Sequence, residues 1–281
     1  MKLCYQVATP DVEIADSVTA YQGSLEKTFG DLARMGYDGV ELMTRDPDML
    51  DWKEVKETAA RHGLAIVLVC TGEIYGQLGL SFTDPRESIR TEAVDRVKRI
   101  IDFAGFLGAK VNLGRVRGQY CSTVDRATTW QWAVDAFREI SDHGRPLGVE
   151  LALESITIMQ TNFINTLAEA EAMVKAVERD NFRLMMDIFH LNLEEKELYN
   201  AIRQYSPYNI HVHLADNNRR YPGQCGLDFE KILTTFRDCG YDGAFCTEIY
   251  QLPSMEAAAQ GAIECLAPIA ARVYGRGGAV K

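Results

Sequence analysis

Eight short apolar runs alternate with longer amphipathic segments along the chain, and this alternation restricts the fold more than any other feature. The runs are Cys4–Val7, Gly39–Met43, Ala65–Cys70, Lys110–Gly114, Val149–Ser155, Arg183–Phe189, Ile210–Ala215 and Phe245–Tyr250. Even the closest successive starts, Gly39 and Ala65, leave room for a strand, a loop and a helix, so no two of these strands make a hairpin. The intervening segments carry apolar residues at helical spacing, as Ile89, Ala93, Val97, Ile100, Ile101 and Ala104 do within Arg86–Leu107. Asp125–His143, Leu167–Val177, Glu194–Tyr205, Asp228–Cys239 and Met255–Tyr274 read as helices on the same ground, with Thr166 and Asp228 placed as N-caps. The sequence Gly-Tyr-Asp-Gly occurs twice, at Gly36–Gly39 and Gly240–Gly243, each time where a helix gives way to a strand. Its first glycine suits the left-handed turn that closes a helix. Eight strand-and-helix units in 281 residues predict an α/β fold, a (β/α)8 TIM barrel in one domain spanning 1–281, in preference to a doubly wound open sheet. The tail Gly275–Lys281 is expected to be flexible.

Charge and cysteine usage narrow the partners. Asp and Glu number 40 against 30 Lys and Arg, a net charge of −10, which gives no electrostatic attraction to nucleic acid or to an anionic membrane. A small molecule is the expected partner. The seven cysteines are odd in number, scattered, and form no C-x-x-C pair, which argues against a disulfide framework and a zinc ribbon and for a reducing cytoplasm. The amino end, MKLCYQVATPDVEIAD, meets a proline and three acids before an apolar signal core could form, and no long apolar stretch follows. Neither export by a signal peptide nor a membrane span is expected.

In a (β/α)8 barrel, chemistry sits at the carboxyl ends of the strands, so polar residues that end apolar strands are candidate site residues. Four late strands carry them: Glu154 in VELALES, Asp187 in RLMMDIFH, His213 in IHVHLAD and Glu248 in FCTEIY. Alternation along a strand aims these four into one bowl. A single acid at a strand end is commonly a salt-bridge partner or a loop cap. Three carboxylates crowded together are different, because each raises the proton affinity of the others unless a cation compensates them. Oxygen-rich ligation with one imidazole suits Mn²⁺, Mg²⁺ or Co²⁺ better than a structural zinc. His211 is expected one layer below His213 as a satisfied core histidine, and Glu150, at the start of its strand, is left without a role. Arg115, Arg117, Arg219 and Arg220 could assemble a phosphate or carboxylate site or form solvated ion pairs; Trp130, Trp132, Tyr75 and Tyr250 could stack on a sugar or simply pack.

The runs MDIFHLNLEE (Met186–Glu195) and HLADNNR (His213–Arg219), the PGQCGLDF that follows, and the strand-eight TEIY together resemble the xylose isomerase-like TIM-barrel superfamily of sugar phosphate isomerases and epimerases. Within it the chain looks most like ketose 3-epimerases of the D-tagatose/D-psicose (allulose) type. The resemblance runs from the first strand unit to the last helix and is most specific between Glu150 and Glu248. It implies that Glu154, Asp187, His213 and Glu248 bind a divalent metal, Mn²⁺ first, with Mg²⁺ or Co²⁺ as alternatives. It also implies that Glu154 and Glu248 act as an acid/base pair, that His190 and Arg219 contact substrate oxygens, and that the chain forms a dimer or tetramer of itself. One position departs: where these epimerases carry a second glutamate, this chain has Gln160, which can still bond a hydroxyl but lacks the charge. The implied reaction is epimerisation of a ketose or ketose phosphate at the carbon next to the carbonyl, through a cis-enediolate stabilised by the metal. A metal-dependent lyase or dehydratase acting on a keto-sugar or inosose is the alternative on the same scaffold, and a noncatalytic sugar-binding protein a further one. A repair endonuclease of this superfamily needs more histidines and a basic face, which five histidines and the acidic balance disfavour.

Overall fold

All eight apolar runs form strands in the computed structural model, which describes residues 1–275. They are β1 (Lys2–Ala8), β2 (Gly39–Met43), β3 (Ala65–Cys70), β4 (Lys110–Leu113), β5 (Leu151–Glu154), β6 (Phe182–Asp187), β7 (Asn209–Leu214) and β8 (Ala244–Thr247). Each pairs in parallel with its sequence neighbour, and β1 also pairs with β8, so the sheet closes into a barrel in chain order. The open-sheet alternative is thereby excluded. The helices are α1 (Leu25–Met35), α2 (Trp52–Arg61), α3 (Gly72–Gly76), α4 (Glu87–Leu107), α5 (Arg126–Gly144), α6 (Leu167–Val177), α7 (Ile188–Glu194), α8 (Leu198–Tyr205), α9 (Phe229–Asp238) and α10 (Met255–Tyr274). Beyond Gly275, the tail expected to be flexible lies outside the described residues. No helix among the described residues is long and apolar enough to cross a membrane.

Strand alternation divides the apolar residues into two cores. Leu3, Tyr5 and Val7 of β1 join the large cluster between sheet and helices, whereas Ala8, Met43, Leu68, Cys70, Ala152 and Met185 form a smaller cluster within the ring of strands. Because both faces of each strand are covered, the strands read as nearly continuous apolar runs. Polar residues on the inner face therefore stand out, and most of them belong to the site.

Local signals hold at most helix ends. Thr166 and Glu169 form a reciprocal capping box on α6, and the Asp228 carboxylate accepts from the Lys231 N–H on α9. Gly36 and Gly240, the first residues of the two copies of the tetrapeptide, take φ of 98° and 80°.

Several boundaries differ from the expectation, and three of the differences bear on the site. Strand β6 stops at Asp187 rather than Phe189, because the Asp187 carboxylate accepts from the N–H groups of Phe189 (2.8 Å) and His190 (3.3 Å) and starts a helix there. The helix expected over Glu194–Tyr205 is two helices. Glu194 accepts from Thr157 Oγ1 and from the Ile158 N–H, Glu195 accepts from the Leu167 N–H, and the extended backbone of Glu195 ends α7. Strand β8 ends at Thr247, so Glu248 and Tyr250 lie in the loop that follows.

Candidate active site

Glu154 ends β5, Asp187 ends β6, His213 is the penultimate residue of β7, and Glu248 follows the last residue of β8. The register sets them at one level, since Asp187 pairs with His213 and His213 with Cys246. One ligand atom from each of the four lies within 4.8 Å of the others. From His213 Nδ1, the nearest carboxylate oxygens are those of Glu248 at 2.8 Å, Asp187 at 3.5 Å and Glu154 at 3.8 Å. Distance alone suggests a hydrogen bond to Glu248, but the direction is wrong, and this buried nitrogen makes no hydrogen bond among the described residues.

Arg219 supplies the positive charge at this level. Its guanidinium is buried and donates to Asp187 Oδ2 and Glu248 Oε2, both at 2.6 Å. The three acids consequently differ. Burial pushes Glu154 up to about 7, with repulsion from Glu248 adding to it. Burial works the same way on Glu248, but Arg219 and His213 outweigh it and hold that carboxyl at about 2. Asp187 follows Glu248: against the burial penalty, Arg219 and then His190 keep it well below the usual carboxylate range. Asn112 and Thr19 complete the arrangement, Asn112 Nδ2 donating to Glu154 (3.0 Å) and Thr19 Oγ1 to Glu248 (2.8 Å).

These residues fit a divalent cation. Three carboxylates and one imidazole nitrogen converge, and that nitrogen is buried without a hydrogen-bond partner among the described residues. The O₃N donor set suits a hard or borderline ion.

Above the cluster opens a cavity of about 370 Å³ that His190, Gln160, Arg219, Tyr75 and Tyr250 help to line, a volume in the range of small-molecule sites. His190 sits in the first turn of α7 rather than on a strand. Its Nδ1 accepts from the Thr157 N–H, so Nε2 carries the proton and lies 3.8 Å from Glu154 Oε1. Burial lowers this ring to about 4 and keeps it neutral. Gln160 is on the loop after β5 with its backbone N–H bonded to Thr157.

The four arginines do not form one anion site. Arg115 is paired with Glu73 at 2.8 Å, Arg117 is buried on the carbonyls of Gly114, Phe163 and Ile164, Arg219 holds the two acids, and Arg220 is exposed. Trp130 packs against Phe163, and Trp132 carries the Arg90 guanidinium on its face, both away from the cavity. Glu150 pairs with Lys110 at 3.1 Å, and His211 is satisfied by Glu41 at 2.9 Å. Glu41, Asn112 and Thr19 escape a strand-end search. The one signal for Glu41 is a glutamate in the middle of the otherwise apolar run GVELM.

Known proteins place the chain among carbohydrate enzymes. The family described as xylose isomerase-like TIM barrel matches residues 29–269. The D-psicose 3-epimerase of Ruminiclostridium cellulolyticum is 28% identical over 222 residues, 77% of this chain and 75% of that protein. The 3-dehydro-D-guloside 4-epimerase of Escherichia coli is 28% identical over 229 residues, 78% of this chain and 84% of that protein. A crystal structure of a D-psicose 3-epimerase in the presence of D-fructose superposes with a TM-score of 0.81, at 22% identity, covering 98% of this chain and 100% of that one. At that identity the likeness establishes the shared barrel.

Proposed function

The chain belongs to the xylose isomerase-like TIM-barrel family, and on that footing we propose that it is a divalent-metal-dependent carbohydrate epimerase that inverts a ketose at the carbon next to the carbonyl. The observation that carries this is geometric: two glutamates, Glu154 from the end of β5 and Glu248 from the loop after β8, converge with Asp187 and His213 on one cluster able to hold a metal ion. Epimerisation needs a proton removed from one face of a carbon and another delivered to the opposite face. Two carboxylates that reach one substrate carbon from different strands meet that need.

Glu154, Asp187, His213 and Glu248 would hold the cation, Mn²⁺ being the first expectation and Mg²⁺ or Co²⁺ the alternatives. When bound, the ion supplies Lewis-acid polarisation of the substrate carbonyl. Glu248, ionised and steadied by Thr19 and Arg219, accepts the carbon-bound proton; Glu154 returns one from the other side, and the roles exchange in the reverse direction. The His190 Nε2–H and the Arg219 guanidinium donate to substrate oxygens, and Gln160 bonds a hydroxyl at the cavity wall. A cytoplasmic setting, supported by the scattered cysteines, belongs to the same proposal.

Solvent deuterium exchange tests it. With Mn²⁺ present, a ketohexose or ketopentose should gain deuterium at the carbon beside the carbonyl and yield its epimer. Chelation should stop this, and Glu154→Gln or Glu248→Gln should abolish it in a folded protein. Unchanged turnover in those variants overturns the proposal, and loss of water from the substrate replaces it with a lyase.

A further inference from the structure

Beneath the four-residue cluster the barrel holds a second polar layer, to which nothing so far assigns a task. Glu41, in the middle of β2, is wholly buried. It reaches across the barrel to β7, accepting from His211 Nε2 at 2.9 Å and from His213 Nε2 at 2.9 Å, while Gln6 Nε2 of β1 donates to it at 2.8 Å. We propose that Glu41, braced by His211 and Gln6, is a positioning residue that presents His213 Nδ1 to the cation and so makes this lower layer part of the metal centre.

The hydrogen-bond chemistry leaves little choice. An ionised carboxylate only accepts, so each imidazole bonded to Glu41 must offer an N–H from Nε2. For His213 that fixes the ring's orientation and leaves Nδ1 as the ligand atom, facing the oxygens of Glu154, Asp187 and Glu248. His211 and Gln6 occupy Glu41 from two other directions, so the carboxylate cannot turn away without stranding a buried donor. A fourth buried carboxylate below the cluster would further deepen the negative potential that attracts a cation.

The inference rests on the metal reading above, and its test separates the two. Metal-free full-length protein is titrated with Co²⁺, and affinity, stoichiometry and the visible spectrum are recorded. The wild type should bind one Co²⁺ per chain. Glu41→Gln, which cannot serve three donors, should bind about 10–100-fold more weakly. His211→Asn keeps Glu41 and all four ligands yet should weaken binding in the same direction, and it carries the test if Glu41→Gln does not fold. Nitrogen-15 spectra of the Zn²⁺-loaded protein should show His213 protonated at Nε2. Wild-type affinity in both variants overturns the inference, as does ligation through Nε2. So does a second Co²⁺ per chain with a sulfur charge-transfer band that Cys246→Ala removes, because Glu41, His211 and Cys246 would then be ligands in their own right. Weak binding in the variants, with no deuterium exchange by the loaded wild type on any ketose, removes the proposed activity and leaves the positioning role standing. Exchange by the wild type, with variants that bind as tightly as it does, does the reverse. A wild type that binds no Co²⁺ removes both.

Discussion

Glu154 and Glu248 are the same side chain in two surroundings, and the difference between them is set by one guanidinium. Arg219 touches Glu248 and Asp187 but makes no hydrogen bond to Glu154, which is left to Asn112 and to the burial penalty. This has a consequence for the metal-free protein. The folded-state value of Glu154, about 7, lies above its ordinary 4.5, so between those values the folded chain holds the proton more firmly than the unfolded chain does. Stability from this group is complete below about 4.5 and is lost as pH rises through about 7. Glu248 and Asp187 act oppositely: their lowered values give stability that is present above the usual carboxylate range and lost as pH falls below it. His190, lowered to about 4, contributes oppositely over much of this range, so the comparison is with a variant: relative to Glu154→Gln, the metal-free wild type should lose several degrees of melting temperature between pH 5 and pH 8. Parallel profiles for the two proteins would refute the assignment. Residues with a strand-end signature were legible in the sequence because period-2 alternation assigns them a face. Glu41, Asn112 and Thr19 were not, since what marks them is a partner on a distant strand or loop, and sequence spacing carries no record of it.

The elements were legible where burial dictates pattern, and less so where a side chain ends an element. Two-sided burial made all eight strands readable as apolar runs, and helical periodicity gave α10 its full extent. The splitting of Glu194–Tyr205 was hidden, because it depends on Glu194 and Glu195 being drawn to the loop after β5 and the start of α6. The loop after β7 shows how much one acid can organise. The Asp216 carboxylate accepts from the backbone N–H groups of Asn217, Gly223, Cys225, Gly226 and Leu227, at 2.9 to 3.3 Å. Its own backbone is tied to Arg220 and Arg219. Within this frame Arg219 is held at φ 59°, a left-handed conformation that a non-glycine residue adopts at a cost, and from there its guanidinium reaches both acids. Removing the frame should release Arg219. Asp216→Ala is expected to lower turnover at least tenfold while keeping the four metal ligands and measurable metal binding, and to raise amide hydrogen exchange at Gly223–Leu227. Wild-type exchange rates in that segment would show that the loop does not depend on Asp216.

Across the whole barrel the work is divided. Strands β5 to β7 and the loop after β8 supply the four residues proposed as ligands, whereas the first half contributes the far wall of the cavity, where Glu73 of α3 meets Arg115 of the loop after β4. On the proposed function, a ketose held at the cluster by its carbonyl end would extend its tail toward that wall. Burial pushes the Glu73 carboxyl up even though Arg115 beside it pulls the other way, so the acid is kept there against a desolvation penalty. The pair offers a hydroxyl both an acceptor and donors. To a terminal phosphate it offers a guanidinium already engaged by Glu73, together with the like charge of that acid. Discrimination follows from the unequal match, since a site that bonds a hydroxyl penalises analogues that leave its polar groups unpaired. A ketose with a free terminal hydroxyl should therefore exceed its terminal phosphate in kcat/KM by roughly tenfold or more, equivalent to about 1.4 kcal/mol. The terminal-deoxy analogue should fall between them. Glu73→Gln removes the like charge but keeps a side chain that can bond a hydroxyl, so it should narrow the gap to the phosphate more than the gap to the deoxy sugar. Arg115→Gln should weaken all three substrates. Steady-state kinetics with the three sugars decides the matter: equal kcat/KM for the free and phosphorylated ketose in the wild type, or a gap untouched by Glu73→Gln, would mean that this pair does not read the tail and that selection lies with the half of the barrel that carries the four-residue cluster.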